Sequence, residues 1–255
     1  FVGRGDRVAF PRPTYSLYET LVKIQDGEEV CVDYPADFAI PPALHSANAV
    51  VTFLCNPNSP SGTLVSPTEI ERLAASVAGI LVADEAYIDF AENPGSSAIP
   101  LIQSIPNLIV LRTLSKSFSL AGLRIGLAFA SAELIAGMMK VKDSYNLNRL
   151  SLVAATAALQ DLPWMQRNVR RIQQTRRQLV DELIKLGFYA YPSHANFVMA
   201  QRKGQEQKAL YQALRERKIY VRYFATPELR DSLRITVGTP EDVERLLQQV
   251  AAIQK

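Results

Sequence analysis

Between residues 8 and 130, short apolar runs alternate with amphipathic segments. Short apolar runs bounded by turn residues are typical of buried strands, and a helical segment between two of them is typical of a crossover. Six strands are predicted, at Val8–Phe10, Glu29–Val32, Val50–Cys55, Ile80–Asp84, Leu108–Leu111 and Ile125–Ala130. The alternation therefore predicts an α/β fold with a mostly parallel sheet flanked by helices. Between the third and fourth strands, Ser66, Pro67 and Glu69 form the pattern of a capping box at the start of a helix.

From about residue 147 the sequence becomes more charged and follows a helical period. A short helix is predicted at Ser151–Leu159, and a long helix follows that ends at Gly187, a residue typical of helix C-termini. The remaining elements predicted are strands at Asn196–Ala200, Tyr220–Tyr223 and Leu233–Val237, a helix at Gln205–Arg217 and a last helix capped by Thr239. We expect a large domain over 1–161 and a smaller C-terminal α/β domain over 162–255.

Composition places the chain among ordinary globular proteins. It has 255 residues, of which 48% are hydrophobic and 21% charged, with a formal net charge of +3. This balance does not favour nucleic-acid binding, and the arginines of the long helix are interpreted as a solvated face: Arg167, Arg170, Arg171, Arg176 and Arg177. The apolar runs are short and interrupted by charges, so no membrane span or signal peptide is expected. Two cysteines in apolar runs favour a reduced, cytoplasmic protein.

Polar side chains follow three successive predicted strands. Asn56–Gly62 follows the third strand, Asp84–Tyr87 ends the fourth, and Ser115 and Lys116 follow the fifth. In open parallel sheets, ligands bind outside the carboxyl ends of the strands. Each segment alone is compatible with a turn, a helix cap or a solvated lysine, but we expect the three to meet at one edge of the sheet.

The chemistry of these side chains matches an aldehyde-bearing pyridine cofactor. A lysine kept neutral by its surroundings is an amine nucleophile, and Lys116 would form a Schiff base with an aldehyde. A carboxylate that emerges from a buried strand needs a cationic partner, and a protonated pyridine nitrogen would serve Asp84. Tyr87 and an asparagine would lie near the ring hydroxyl, while Ser115 and Arg124 would bind a phosphate. The group predicts a site for pyridoxal 5′-phosphate.

Two arginines, Arg222 and Arg234, lie inside predicted strands of the C-terminal part. Either one alone is compatible with an exposed or salt-bridged position. As a pair on neighbouring strands, they would receive an anionic substrate.

The chain resembles the class I/II, fold-type-I pyridoxal-phosphate aminotransferases. The resemblance rests on Asp84-Glu85-Ala86-Tyr87, on Ser115-Lys116 and on Ala121-Gly122-Leu123-Arg124-Ile125-Gly126. Within this family it is most similar to the histidinol-phosphate aminotransferase branch. That closer match rests on the segments Pro13–Tyr18, Lys140–Asn146, Ala195–Phe197 and Leu233–Thr239.

The resemblance implies a role for each matched residue. Lys116 would hold the cofactor and move the proton during transamination, with Asp84 on the ring nitrogen and Tyr15 stacked on the ring. The remaining cofactor contacts implied are Tyr87 on the phenolic oxygen and Ser115 with Arg124 on the phosphate. The substrate contacts implied are Tyr145, Asn196, Arg222 and Arg234.

The resemblance also implies a reaction and an assembly. An amino group would pass from histidinol phosphate to 2-oxoglutarate, in histidine biosynthesis, within a cytoplasmic homodimer. Arg234 would hold the anionic tail of the substrate, and Arg222 would hold its phosphate.

The chain departs from the family pattern in two respects. Many relatives have an asparagine directly before the second proline of the Asn56–Gly62 loop, where this chain has Ser59, so we expect Asn58 to make the ring-oxygen contact. The sequence begins at Phe1 without a methionine. We expect an N-terminal part to precede it, including a glycine-rich phosphate loop and a tyrosine that serves the neighbouring subunit.

Other interpretations remain open at this point. An aromatic-amino-acid aminotransferase and a threonine-phosphate decarboxylase belong to the same superfamily. A transcription regulator with a non-catalytic aminotransferase-like sensor domain belongs to another functional class. An inactive fragment of an enzyme is a further alternative.

Overall fold

The computed structural model describes residues 1–254, which contain two β-sheets and a long helix that packs on the second sheet and contacts the loop after the fourth strand of the first. The first sheet has six strands in the order β2-β1-β3-β4-β5-β6. Its strands are β1 (Arg7–Arg12), β2 (Glu28–Asp33), β3 (Val51–Cys55), β4 (Ile80–Asp84), β5 (Leu108–Thr113) and β6 (Gly126–Ala130). All six predicted strands are present, and the prediction of a mostly parallel sheet is confirmed. Only β5 and β6 pair antiparallel, because a short turn segment without a crossover helix joins them.

Four helices accompany this sheet: α1 (Leu17–Ile24), α2 (Pro67–Ser76), α3 (Ala132–Val141) and α4 (Arg149–Gln160). The predicted capping box of α2 is confirmed, since the Ser66 hydroxyl accepts a hydrogen bond from the Glu69 amide and the Glu69 carboxylate accepts one from the Ser66 amide. The sequence prediction missed α1 and α3. Helix α1 has only eight residues and buries only Tyr18 and Val22, so the helical pattern of apolar residues extends over too few positions to be recognised.

The second sheet is antiparallel, with strand order β7-β8-β10-β9. Its strands are β7 (Tyr189–Ala190), β8 (Phe197–Gln201), β9 (Arg222–Tyr223) and β10 (Ser232–Thr236), and its helices are α5 (Leu162–Lys185), α6 (Lys208–Glu216) and α7 (Pro240–Ile253). Buried Leu179, Leu183, Val198 and Leu233 form a core of their own here. The predicted domain boundary between residues 161 and 162 remains a prediction, because α5 packs on the second sheet and also contacts the loop after β4.

Helix α5 corrects one interpretation of the sequence. Arg167, Arg170, Arg171 and Arg177 are exposed as expected, but Arg176 is only 3% exposed. Its Nη1 atom donates hydrogen bonds to the carbonyl oxygens of Phe90 (3.2 Å) and Ala195 (2.6 Å). The interpretation of Arg176 as part of a solvated face was therefore wrong, because its guanidinium ties the loop after β4 to the segment before β8.

Strands β3, β4 and β5 are parallel neighbours, so the segments that follow them lie at one edge of the sheet. Asp84 is the last residue of β4, the segment Asn56–Gly62 follows β3, and Lys116 follows β5 by three residues. The predicted convergence of these segments is thus confirmed. No helix in the described range 1–254 has the length and apolar character needed to cross a membrane.

Candidate active site

Asp84 is a largely buried carboxylate at the carboxyl end of β4. Its Oδ2 accepts a hydrogen bond of 2.8 Å from the Tyr18 hydroxyl, and its Oδ1 accepts one of 3.1 Å from the amide of Ala86. Burial raises the pKa of Asp84, and the Tyr18 hydrogen bond partly offsets the rise. Within residues 1–254, no lysine or arginine forms an ion pair with it. A cationic group of a ligand would therefore be stabilised at this position.

Lys116 lies in the turn that follows β5 and is half-buried. Its Nζ atom is 5.3 Å from the centroid of the Tyr87 ring. Burial lowers the pKa of the Lys116 amine, and the positive charges of Arg234 and Arg124 lower it further, against the opposite effect of Asp84. A lowered pKa raises the neutral fraction of the amine, which is the form that attacks an aldehyde.

Ser115 and Arg124 lie on either side of the turn after β5. Arg124 has a left-handed backbone, with φ of 56°, at the end of a short 3₁₀ turn, and its Nη1 donates to the carbonyl oxygen of Ala121 at 2.8 Å. The amide of Ser115 donates to the Thr113 hydroxyl at 3.1 Å. Arg124 is exposed and near enough to influence Lys116, so its guanidinium is free to contact an anion close to the amine.

A cavity of about 900 Å³ opens between the two sheets. Its lining includes Tyr15, Ser59, Arg222 and Arg234, all of which the sequence had singled out. The volume suits a small-molecule substrate. Arg234 connects this cavity to the cofactor residues, since its charge also acts on Tyr87 and Lys116.

Arg222 and Arg234 are register partners on the antiparallel strands β9 and β10, so their side chains lie on one face. The Nη1 atom of Arg234 donates to the Ser59 hydroxyl at 2.9 Å, while its buried Nε has no hydrogen-bond partner in the described structure. Neither guanidinium forms an ion pair with a carboxylate of residues 1–254. Burial lowers the pKa of Arg234, and the nearby charge of Arg222 lowers it further. Two uncompensated positive charges therefore face the cavity.

Asn58 is 2% exposed and its side chain is fully engaged within its own loop and the neighbouring one. Its Nδ2 donates to the carbonyl oxygen of Pro13 (3.2 Å) and to the Ser61 hydroxyl (3.0 Å), and its Oδ1 accepts from Thr14 (2.8 Å). Both amide hydrogens are thus in use. The geometry does not support the predicted contact of Asn58 with the ring oxygen, and it places the Ser59 hydroxyl at the cavity instead.

The other predicted residues differ in their placement. The Tyr87 ring packs edge-on against Phe197 with centroids 5.0 Å apart, and burial raises the pKa of Tyr87 to about 12. Asn196 is half-buried directly before Phe197 but does not line the cavity. Tyr145 is 91% exposed in the turn between α3 and α4, so the structure does not bring it to the cavity of its own chain.

Tyr18 is a site residue that the sequence analysis left without a role, although it lies in the quoted segment Pro13–Tyr18. Its ring stacks on Phe53 at 4.5 Å, which directs the hydroxyl to Asp84. Its spacing of three residues from Tyr15 on a helical turn was a usable signal, since residues three apart share a helix face.

These groups fit pyridoxal 5′-phosphate. Asp84 forms no ion pair with a described lysine or arginine, so a protonated ring nitrogen would be its cationic partner. Lys116 is an amine with a lowered pKa on the neighbouring loop. Arg124 is available for the phosphate. Lys116 thus matches the aldehyde of the cofactor, Asp84 matches its ring nitrogen, and Arg124 matches its phosphate.

Comparison with known proteins agrees with this chemistry. Residues 1–250 match the model of the family described as aminotransferase class I and II. The chain is 44% identical to histidinol-phosphate aminotransferase 1 of Nostoc sp. over 243 residues. The aligned region covers 95% of this chain and 68% of that protein. It is 42% identical over 238 residues to histidinol-phosphate aminotransferase 1 of Trichormus variabilis, with 93% and 67% covered.

Solved structures share the fold. Histidinol-phosphate aminotransferase of Sinorhizobium meliloti, in complex with pyridoxal-5′-phosphate, superposes with a TM-score of 0.90 at 24% identity over 99% of this chain and 72% of that one. L-threonine-O-3-phosphate decarboxylase of Porphyromonas gingivalis superposes with a TM-score of 0.86 at 23% identity over 98% and 78%. With the match over residues 1–250 and the identities to curated relatives, the chain belongs to the aminotransferase class I and II family.

Proposed function

We propose that this protein binds pyridoxal 5′-phosphate and transfers the amino group of histidinol phosphate to 2-oxoglutarate, a reaction of histidine biosynthesis. The observation that carries the proposal is the position of Lys116 over the Tyr87 ring, near enough to Arg234 of the cavity for its charge to act on both. A nucleophilic amine and an uncompensated guanidinium are the groups that an amino-transfer site for an anionic substrate needs.

When bound, the cofactor supplies an aldehyde that captures amino groups and a protonated ring that withdraws electrons. Asp84 would hold the ring nitrogen, the Tyr87 hydroxyl would contact the ring oxygen, and Arg124 with Ser115 would hold the phosphate. Lys116 Nζ would accept and return the proton that moves during the reaction. The lowered pKa of Lys116 supports this role, because it increases the fraction of the amine that is neutral and can accept a proton.

The two arginines support a site that binds two different anionic substrates. Histidinol phosphate carries a phosphate and 2-oxoglutarate carries two carboxylates, so one site has to accept both. Arg222 and Arg234 present two guanidinium groups to the cavity, and neither forms an ion pair with a carboxylate of the described residues. We infer that Arg222 contacts the phosphate and that Arg234 contacts the carboxylate.

Absorbance spectroscopy tests the cofactor and the substrate together. Wild-type protein with pyridoxal phosphate is expected to show a visible band that histidinol phosphate bleaches, and Lys116→Ala is expected to lack the band. The same titration with phenylalanine and with threonine phosphate distinguishes the other members of the superfamily. A band that no donor bleaches would support a sensor domain without turnover, and absence of binding would contradict the cofactor proposal.

We also propose that the protein is a homodimer. Large apolar side chains are exposed along α3, α4 and the start of α5, including Val141, Tyr145, Leu150, Val153 and Trp164. Exposed apolar surfaces of this kind mark interaction sites. Helix α4, in the middle of this surface, fully buries only Ser151 and Ala155, so the chain itself covers little of it.

Sedimentation equilibrium tests this assembly. Wild-type protein is expected to be dimeric, and Leu150→Glu is expected to weaken the dimer. Ile184→Glu, at an exposed apolar position on α5 outside this surface, serves as the control. A monomeric wild type, or equal effects of both variants, would contradict the proposed interface.

The predicted substrate contact of Tyr145 remains a prediction that the single-chain geometry does not support.

A cytoplasmic location is part of the same proposal. Cys31 and Cys55 are free thiols, as is usual for proteins of a reducing compartment. Cell fractionation with an antibody against the protein checks this, and recovery in an extracytoplasmic fraction would contradict it.

A further inference from the structure

A buried polar cluster lies behind the site and takes no part in the roles assigned above. This Glu85 cluster consists of Glu85, Asp89, Ser97, Arg112 and Ser117. Two of its members are chain neighbours of the proposed catalytic groups, since Glu85 follows Asp84 and Ser117 follows Lys116. The cluster therefore joins the two loops that carry the cofactor residues.

The centre of the cluster is the pair of Glu85 and Arg112. The Glu85 side chain is 0% exposed, and its Oε2 lies 3.0 Å from Arg112 Nε. The same carboxylate accepts hydrogen bonds from the Ser97 hydroxyl (2.8 Å) and the Ala98 amide (2.5 Å). A buried carboxylate with this many partners is held in one position, because the Arg112 charge and two hydrogen-bond donors act on it together.

Arg112 extends this fixed geometry to Asp89. Its Nη1 donates to Asp89 Oδ1 at 2.6 Å, and Asp89 Oδ2 accepts a hydrogen bond of 2.5 Å from the Ser117 hydroxyl. Asp89 follows Tyr87 by two residues, so it belongs to the loop that carries the aromatic ring beside Lys116. The chain Glu85–Arg112–Asp89–Ser117 thus fixes the β5 loop against the β4 loop.

Within the β5 loop, Lys116 is held on both sides. The amide of Ser115 donates to the Thr113 hydroxyl, and the carbonyl oxygen of Lys116 accepts from the amide of Ser119, each at 3.1 Å. Ser117 is buried, and its bond to Asp89 is the side-chain contact that ties this turn to another element. A lysine side chain has several rotatable bonds, so its reach toward a ligand depends on where its backbone is fixed.

We propose that Ser117, held by Asp89, is a positioning residue that directs Lys116 toward Tyr87 and Asp84 and thereby sets how readily Lys116 captures an aldehyde. This inference rests on the proposed function, since it concerns the same lysine. Without the Ser117 hydroxyl, the turn would sample more orientations, and the amine would meet the aldehyde less often.

Two forms of the cofactor separate this effect from general damage. Pyridoxal phosphate has the aldehyde, whereas pyridoxamine phosphate has an amine in its place and cannot bond to Lys116. Dissociation constants for both forms are measured on the full chain for wild type, Ser117→Ala and Asp89→Asn. In both variants the affinity for pyridoxal phosphate is expected to fall about tenfold, while that for pyridoxamine phosphate changes less than about twofold.

Two controls complete the experiment. In a Lys116→Ala background, Ser117→Ala is expected to change neither constant, because no lysine remains to be positioned. Ser97→Ala removes a hydroxyl from the same cluster on the side away from Lys116, and it is expected to leave the ratio of the two constants unchanged.

The outcomes separate the inference from the proposed function. If wild-type protein binds neither form, the cofactor proposal fails and this inference fails with it. If wild type binds both forms, the cofactor proposal stands. Ser117 then has no positioning role if Ser117→Ala lowers the two affinities equally, lowers neither, or changes their ratio no more than Ser97→Ala does.

Discussion

Tyr18 donates a hydrogen bond of 2.8 Å to Oδ2 of Asp84, so a short helix near the start of the chain supports the acidic end of β4. Tyr18 is itself buried, with its ring stacked on Phe53. Burial raises the pKa of Asp84, and three groups act against that rise: this donor, the amide of Ala86 and the charge of Lys116. Asp84 is thereby prepared to bind a cationic group of a ligand, since no lysine or arginine of residues 1–254 forms an ion pair with it.

Tyr18→Phe is expected to reduce the free energy of unfolding by about 1–3 kcal/mol near neutral pH, because it leaves Oδ2 of the largely buried Asp84 carboxylate without its donor. Asp84 has a raised pKa in the folded state, so its ionisation costs stability progressively as pH rises through that pKa. Removing the donor raises the pKa further, and the loss is expected to be larger at pH 7 than at pH 4. Urea unfolding at both pH values measures this. Tyr220→Phe, at an exposed position, is the control, and an equal loss at both pH values would contradict the explanation.

Arg222→Gln and Arg234→Gln are each expected to raise the KM for histidinol phosphate by about tenfold or more, because each removes a charge-assisted contact to an anion. Steady-state kinetics at two salt concentrations measure the change, which is expected to shrink at high salt. Arg230→Gln, an exposed arginine outside the proposed site, is the matched control. If that variant changes KM as much, general electrostatic attraction rather than the register pair binds the substrate.

Arg124→Gln is expected to raise the pKa of Lys116, because the Arg124 charge is one of three causes that lower it. Arg124 is exposed and screened by solvent, so the rise in the Lys116 pKa is expected to be small and to shrink further at high salt. The rate of Lys116 acetylation is followed against pH by mass spectrometry, without cofactor. The midpoint of that curve gives the pKa of the amine. Arg149→Gln, an exposed arginine at the start of α4, is the control. A lower midpoint in Arg124→Gln than in wild type would contradict the assigned cause.

Arg176→Ala is expected to destabilise the protein by about 2–4 kcal/mol, since it removes the donor to the buried carbonyl oxygens of Phe90 and Ala195. Arg177→Ala is the matched control on the same helix. Its side chain is 63% exposed and pairs with Glu92 at the surface, so a change below about 1 kcal/mol is expected. Chemical denaturation compares the two, and equal losses would refute the bridging role of Arg176.

Gly62→Ala is expected to destabilise the contact between the loop after β3 and the segment before β8. Gly62 has φ of 81°, and an added Cβ would lie 2.5 Å from the Ser193 hydroxyl oxygen. Gly204→Ala is the control, because φ there is 76° but nothing lies within 4 Å of an added Cβ. The control measures the cost of backbone strain alone, about 1–2 kcal/mol. In thermal unfolding, Gly62→Ala is expected to lose more stability than Gly204→Ala. Equal losses would mean that the close approach to Ser193 adds nothing.

Local signals determined the elements of this protein. The capping box at Ser66 and the N-cap at Thr239 begin α2 and α7 as predicted, and Gly187, with φ of 82°, ends α5. The bounds of β4, Ile80–Asp84, match the prediction residue for residue. These signals are readable because a cap acts within three or four residues and because turn residues bound each buried strand. The strand-end positions of Asp84 and Lys116 follow from the same local pattern.

Contacts between distant residues were decided only by the tertiary structure. Arg176 and Arg177 are adjacent and chemically identical, yet one is buried and the other exposed, because the side chains of neighbouring helical residues point about 100° apart. Tyr18 meets Asp84 across 66 residues, and Ser59 meets Arg234 across 175. Asn58 and Ser59 are likewise adjacent in one loop, but packing engages the first and leaves the second at the cavity. The residue types present at the site could thus be read from the sequence, whereas their partners could not, since hydrogen bonds and burial depend on which surfaces the fold brings together.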